Sequence, residues 1–181
     1  MIIANLISFL AAICTCLSCW SRKDSTIYGF QVGQCFILAI ASFFFGSYAG
    51  IATLLVCTLR NLFLAWGNRN KVLHVILAVV MFVVGVIFNN VGYVGWIIIF
   101  ANVYYTIAAA LVENEMFIKL VIISDLVMWM VYEVLITDIP SFIADGISVV
   151  VAIIAIIRYL TEKKRARALE TDYPKQADGR L

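Results

Sequence analysis

The pattern of apolar and polar residues divides most of the chain into seven long apolar segments separated by short polar breaks. Each apolar segment has about the length that a helix needs to cross the roughly 30 Å hydrocarbon core of a bilayer. The breaks carry glycine, asparagine, aspartate, serine or proline, which are typical of turns and helix ends. The pattern therefore predicts seven transmembrane helices, over residues 2–20, 27–45, 48–66, 72–88, 91–112, 116–136 and 139–160.

Composition agrees with an all-α integral membrane protein, because 64% of the residues are hydrophobic, 13% are charged and the mean hydropathy is +1.03. Such values exclude an ordinary water-soluble domain. Residues 1–160 are predicted to form one seven-helix transmembrane domain, and residues 161–181 a basic and then disordered cytoplasmic tail. The first helix is expected to be retained, since it begins Met1-Ile2-Ile3-Ala4 without the basic start of a cleaved signal peptide.

The basic residues predict the orientation, because short loops rich in lysine and arginine stay in the cytoplasm. They fall in alternate breaks, and the other breaks contain none. The N-terminus is therefore expected outside and the C-terminus in the cytoplasm. The basic breaks hold Arg22 and Lys23, Arg69 and Lys71, Lys119 just inside the sixth helix, and Lys163, Lys164, Arg165 and Arg167 in the tail.

The seven helices can be arranged as three plus one plus three. A first repeat over 1–66 and a second over 91–160 run parallel if the helix over 72–88 is an inverting linker. In each repeat an outer hairpin precedes a helix with an arginine near its cytoplasmic end, Arg60 and Arg158 respectively. Parallel repeats occur in transporters, whose substrate sites lie near mid-membrane between the halves. We expect an axis along the membrane normal to relate the halves, with the two arginines at equal depth.

Two stretches of the chain carry a resemblance to a known family. They are Phe45-Gly46-Ser47-Tyr48-Ala49-Gly50 with Leu59-Arg60-Asn61, and Trp129 through Asp145-Gly146 to Ile156-Ile157-Arg158. Both resemble the bacterial inner-membrane YgjV-type family, which implies a multi-pass protein of that membrane. The family is similar in layout to sugar-facilitator and vitamin-transporter proteins with three-plus-one-plus-three helices, but its own activity is unassigned. Its pattern often has an asparagine one turn before each arginine, where this chain has Cys57 and Ala155.

Asp125 is the most informative polar residue, because it lies near the centre of the sixth predicted helix. A charge there costs at least about 2.5–3.5 kcal/mol to insert, so it almost always faces protein or water. Trp129 and Tyr132 follow on the same helical face, which suits a polar or cationic aromatic ligand. No basic residue is expected at the same depth, so we expect Asp125 to face a hydrated cavity. The alternative is a neutral aspartate that only bonds a neighbouring helix.

Further polar residues extend this candidate site. Asn102 lies at a similar depth in the fifth helix, where it could bind substrate or join two helices. Asp145, Glu133 and Asp138 make the outer half acidic with no opposing lysine or arginine, which would enrich cations and repel anions. Glu133 and Asp138 could instead be loop charges. The predicted substrate-binding residues are Asp125, Trp129, Tyr132, Asn102 and Asp145.

The remaining polar and sulfur-containing residues favour structural roles. Arg60 and Arg158 are expected to reach lipid head groups, with an inner gate as the alternative. The five cysteines lie inside predicted helices without the spacing of metal ligands, so they are expected to be packing residues. The GxxxG pattern of Gly29 and Gly33 indicates close packing within the monomer, with a homo-oligomer as the second use.

The sequence predicts no enzyme, no cofactor, no metal site and no nucleic-acid partner, since it has no phosphate-binding glycine loop and no catalytic motif. The expected partners are the lipid bilayer and a small polar solute. The leading hypothesis is a transporter or facilitator of a neutral or cationic solute that works by alternating access. The alternative is a non-transporting scaffold or partner-binding subunit whose buried polar residues only fix the packing.

The predicted orientation can be tested with the substitutions Asp24→Cys and Asn70→Cys. Both positions lie in breaks assigned to the cytoplasm, so an impermeant thiol reagent added to intact cells should not label them. The unsubstituted chain is the control, because its own cysteines lie inside predicted helices. Ready labelling from outside would reverse the orientation.

Overall fold

The computed structural model describes residues 2–136 and 138–177, and the regular secondary structure of these residues is entirely α-helical. Lipid offers the backbone no hydrogen-bond partners, so helices that satisfy their own N–H and C=O groups are expected. The helices are α1 (Ile2–Trp20), α2 (Asp24–Phe45), α3 (Tyr48–Ala65), α4 (Lys71–Ile87), α5 (Tyr93–Leu111), α6 (Glu115–Leu135) and α7 (Ile139–Ala177).

Two helix boundaries differ from the prediction by more than two residues. Helix α2 begins three residues early, at Asp24, whose carboxylate lies in the positive first turn of the helix. Helix α7 continues beyond residue 160 to Ala177, through most of the segment predicted to be a basic and then disordered tail. That segment is rich in glutamate, lysine, arginine and alanine, which are strong helix formers. Residues 178–181 of the predicted tail lie outside the described residues.

The helix ends use the turn chemistry predicted for the breaks. The side chain of Ser47 caps α3 by accepting a hydrogen bond from the N–H of Gly50 at 3.2 Å. Asn70 and Asn114 cap α4 and α6 in the same way. Gly46 ends α2 in the left-handed region at φ 69°, which glycine adopts without strain.

Six of the helices form a ring, and the fourth lies outside it. Each helix packs against its neighbours in the chain, α7 returns to α1, and α3 contacts α5 directly. Helix α4 therefore lies across α3 and α5. A side-chain carbon added at Gly85 of α4 would come within 2.7 Å of Ile99 of α5 and 3.2 Å of Thr53 of α3, so glycine permits this close approach.

The outer surface of the bundle is apolar, as expected for contact with lipid. Large hydrophobic side chains on every helix are exposed, including Phe9, Phe43, Leu59, Ile76 and Ile147. Within the described part of the chain, five helices are long and apolar enough to cross a membrane. Helix α4 is apolar but has 17 residues, and α6 contains four charged residues. The architecture is that of an α-helical membrane protein.

At one end of the bundle, basic side chains bond to the C-termini of helices. We call this the basic end; here α1, α3 and α5 finish and α2, α4 and α6 begin. The ammonium of Lys119 is buried and donates to the carbonyls of Cys19 and Ser21, at 2.9 and 2.7 Å, where α1 ends. Arg69 donates to the carbonyl of Val112 after α5 and pairs with Asp24. These cations satisfy carbonyls that have no partner within their helices.

A buried apolar cluster fills the centre of the bundle toward the basic end. All six ring helices contribute to it, so it closes the space between them. Its members are Cys19, Ile27, Tyr28, Leu64, Tyr105, Ala109, Ile118, Ile122, Leu126 and Ala152.

The role of Lys119 can be tested with Lys119→Met, which keeps the length of the side chain and removes its donors. Hydrogen bonds to charged groups contribute about 1.5–3 kcal/mol each. We expect a loss of roughly 2 kcal/mol or more in unfolding free energy, measured on purified protein in micelles. Lys71→Met, at an exposed position, is the control. Equal stability of the two variants would show that the buried contacts of Lys119 contribute little.

Candidate functional site

Two adjoining cavities lie inside the helix ring. The acidic cavity, lined by Asp125, Glu133, Asp138 and Asp145, extends to the end of the bundle opposite the basic end. The arginine cavity, lined by Arg60 and also by Asp125, lies toward the basic end. Their volumes are about 60 and 40 Å³, enough for several water molecules. The interior is therefore not fully packed.

Asp125 lies where the two cavities meet and contributes to the lining of both. Its Oδ1 atom is buried and has no hydrogen-bond partner among the described residues. A buried carboxylate oxygen without a partner carries a large desolvation cost. The arrangement leaves this oxygen available to water or to a bound solute in the cavity.

The acidic cavity is lined by three further carboxyl groups and, among its described side chains, by no lysine or arginine. Glu133 is only 6% exposed, and its Oε2 atom has no hydrogen-bond partner in the described part of the chain. Asp138 instead caps α7, because its carboxylate accepts hydrogen bonds from the hydroxyl and the N–H of Ser141 at 2.7 and 3.3 Å. Asp145 lines the cavity from α7. Ionised carboxyl groups in such a cavity would favour cations over anions.

Two aromatic residues form a wall beside Asp125. Trp129 lines both cavities, whereas Tyr132 lines the acidic cavity only. Their rings pack edge to face with centroids 5.8 Å apart. The hydroxyl groups of Tyr132 and Ser47 lie 3.5 Å apart, which connects α6 to the start of α3. This wall can stack on a planar solute or face a cation.

Arg60 lies in the interior and does not reach the lipid surface. Its side chain is 3% exposed and donates from Nε to Asn61 Oδ1 and from Nη1 to Thr106 Oγ1, both at 3.0 Å. Its guanidinium also lies 4.5 Å from the ring centre of Tyr105. Because Arg60 lines the same cavity as Asp125, a basic residue does lie near that carboxylate, contrary to the expectation from sequence. Neither of them takes part in the ion pairs found among the described residues.

Asn102 lines the arginine cavity and is 4% exposed. Its Oδ1 atom accepts a hydrogen bond from the thiol of Cys57 at 3.1 Å, which joins α5 to α3. Its Nδ2 atom is buried without a hydrogen-bond partner in the region that the structure describes. One side of the amide is therefore used in packing, and the other remains an available donor.

Comparison with known proteins identifies the family. The model of the Imp-YgjV family, described as a bacterial inner membrane protein, matches residues 2–163. The chain belongs to this family. No curated protein and no solved structure matches it. Together with the long apolar helices, membership locates this Imp-YgjV family protein in the bacterial inner membrane.

Arg158 differs from Arg60 in its surroundings. It is 46% exposed, pairs with Glu162 at 3.3 Å, and lies 5.0 Å from the ring centre of Trp20. Arg60 lies 13 residues after the cap of its helix, whereas Arg158 lies 20 residues after Asp138. Any symmetry between the halves of this Imp-YgjV family protein therefore does not extend to these two side chains.

Sequence reasoning left three ionisable residues of the cavities, Glu133, Asp138 and Arg60, out of the predicted substrate-binding set, and it gave Arg60 a role as an inner gate only as the alternative. Glu133 follows Asp125 by about two helical turns, but it was also open to interpretation as a loop charge. Arg60 could have been found from helical spacing, because Thr53, Cys57, Arg60 and Leu64 recur on one face of α3. All four are buried. A face with small, polar and basic residues at that spacing indicates contact with another helix and not with lipid.

The influence of Arg60 on Asp125 can be measured with a double-mutant cycle. Arg60→Met should lower the free energy of unfolding by about 2 kcal/mol or more, because it removes buried charge-assisted hydrogen bonds. Adding Asp125→Asn should recover part of that loss, since the carboxylate no longer lacks a nearby positive charge. Coupling of about 0.5–3 kcal/mol is typical of residues that interact. Strictly additive effects would mean that the two side chains do not interact.

Proposed function

We propose that this inner-membrane protein is a transporter or facilitator of a small polar solute, neutral or cationic, that works by alternating access. The main support is the buried Oδ1 atom of Asp125, which has no hydrogen-bond partner among the described residues and lies where two cavities meet. Helix packing alone would favour a bonded carboxylate, because leaving it unpaired costs stability. A site that binds and releases a solute needs such available groups.

The order of helix contacts supports a three-plus-one-plus-three arrangement. The two halves can be compared by putting α5, α6 and α7 in the places of α1, α2 and α3, and the reverse. The contact between α1 and α7 then takes the place of the contact between α5 and α3. The remaining contacts within each half map onto each other as well. A two-fold axis along the membrane normal would produce this pattern, with α4 as the linker outside the ring. The cavities lie between the halves, where such transporters bind their substrates.

The proposed orientation puts the basic end in the cytoplasm, in accordance with the positive-inside rule. The acidic cavity then opens toward the periplasm and attracts cations or the positive end of a neutral solute. The apolar cluster closes the cytoplasmic side. Opening that side requires the halves to rock about the contacts of α3 with α5 and of α1 with α7, which would close the periplasmic side in turn.

The test of this proposal is Asp125→Asn. In proteoliposomes, the variant should lose uptake of whichever solutes the wild type takes up from a panel of small neutral and cationic metabolites. Yield and melting temperature should stay close to wild type, because the amide keeps the size of the side chain. Trp129→Ala should weaken solute binding by about 0.5–2 kcal/mol through lost cation–π contact.

Glu113→Gln is the matched control, because Glu113 is an exposed carboxylate outside both cavities. It should leave uptake unchanged. If Asp125→Asn alters stability while every uptake signal persists, Asp125 has a structural role. If the wild type takes up no solute of the panel, the transport function is rejected in favour of the scaffold function.

A further inference from the structure

An arginine and an aspartate line one cavity without forming an ion pair. Arg60 of α3 and Asp125 of α6 both line the arginine cavity, yet no direct ion pair joins them in the described part of the chain. Opposite charges attract strongly where the surroundings have a low dielectric constant. Because no ion pair joins them, the cavity that both side chains line has room for polar matter between them, either water or a solute.

Arg60 is surrounded mainly by neutral groups. Its hydrogen bonds go to an amide oxygen of Asn61 and a hydroxyl of Thr106, and it lies against the ring of Tyr105. None of these supplies a negative charge. A buried guanidinium is well suited to a carboxylate, which it can bind through two parallel hydrogen bonds.

The unpartnered atoms of the cavity differ between its two sides. Asn102 Nδ2 is a buried donor on α5, the helix that also bonds Arg60 through Thr106. An amide N–H can bond a carboxylate oxygen but not an ammonium. Asp125 Oδ1 is a buried acceptor on α6, beside the indole of Trp129. It can accept from an ammonium, and the indole can add a cation–π contact.

We infer that the arginine cavity binds a small zwitterion, with its carboxylate at Arg60 and Asn102 and its ammonium at Asp125. This inference rests on the transport function proposed above and names its substrate class as a small amino acid or a related zwitterion. A zwitterion satisfies both charges at once. A simple cation leaves Arg60 without a counter-charge, and a simple anion would face both Asp125 and the carboxylates of the acidic cavity.

Cavity size restricts the zwitterion to a few heavy atoms. The arginine cavity has a volume of about 40 Å³ and adjoins the acidic cavity of about 60 Å³. Glycine, β-alanine and γ-aminobutyrate are suitable probes, because they differ only in the distance between ammonium and carboxylate. The best of the three would report the spacing between the two charged side chains.

The experiment compares these zwitterions with analogues that lack one charge. Binding to the purified full-length protein is measured by calorimetry, and uptake by proteoliposomes with radiolabelled compounds. Propylamine and propionate are the matched analogues of β-alanine. We expect at least one zwitterion to bind roughly tenfold or more tightly than either type of analogue, because loss of one end leaves buried polar groups unpaired.

Arg60→Met should remove the preference for zwitterions over amines. Arg158→Met is the matched control, because Arg158 lines neither cavity and is half-exposed, and it should keep the preference. If Arg60→Met does not fold, the binding of zwitterions and analogues to the wild-type protein decides the question. The inference is supported if the wild type and Arg158→Met both bind zwitterions more tightly than the analogues.

Four results would overturn the inference, and they separate it from the proposed function. If propylamine binds and is taken up as well as the zwitterions, the site binds simple cations and the transport function stands. If propionate binds as tightly as the zwitterions, or if only larger solutes of the wider panel are taken up, the assignment of a small-zwitterion site is wrong and the transport function stands. If nothing in the wider panel is taken up, transport fails and this inference fails with it.

Discussion

The buried charge of Arg60 is the constraint on which the interior of the bundle depends. A buried guanidinium that does not reach the lipid head groups needs hydrogen-bond acceptors within the protein. Asn61 supplies one from the same helix, and Thr106 and Tyr105 supply contacts from α5. These contacts hold α3 against α5, which leaves α4 outside the ring. They also keep the centre polar, so two cavities remain where apolar side chains would otherwise pack.

The basic residues at the basic end of the bundle have a different structural role. Lys119 and Arg69 lie at the boundary of the apolar region and bond to carbonyls at the ends of α1 and α5. Residues of the kind that orient the protein by the positive-inside rule therefore also hold helix ends together. Above them, the apolar cluster separates the cavities from the basic end. The opposite end has carboxylates and serine hydroxyls around an open cavity.

The polar groups of the cavities differ in how far their hydrogen bonding is satisfied. Gln31 and Tyr105, which also line the arginine cavity, exchange two hydrogen bonds with each other at 2.7 and 2.9 Å. Asn102 instead bonds through one atom of its amide and leaves the other available. Groups that are held in position yet keep an unused hydrogen-bond donor or acceptor can bind a solute without large rearrangement.

The sequence by itself determined the helices and the face of α6 that bears Asp125, Trp129 and Tyr132. Length, hydropathy and helix-end residues are local properties, and a helix in lipid satisfies its backbone groups internally. Only the tertiary structure decided that Arg60 lies inside, that Glu133 lines a cavity, and that Lys119 bonds to the end of α1. The reason is that a long polar side chain near a helix end can extend to the surface or turn inward. The choice depends on acceptors from helices distant in the chain.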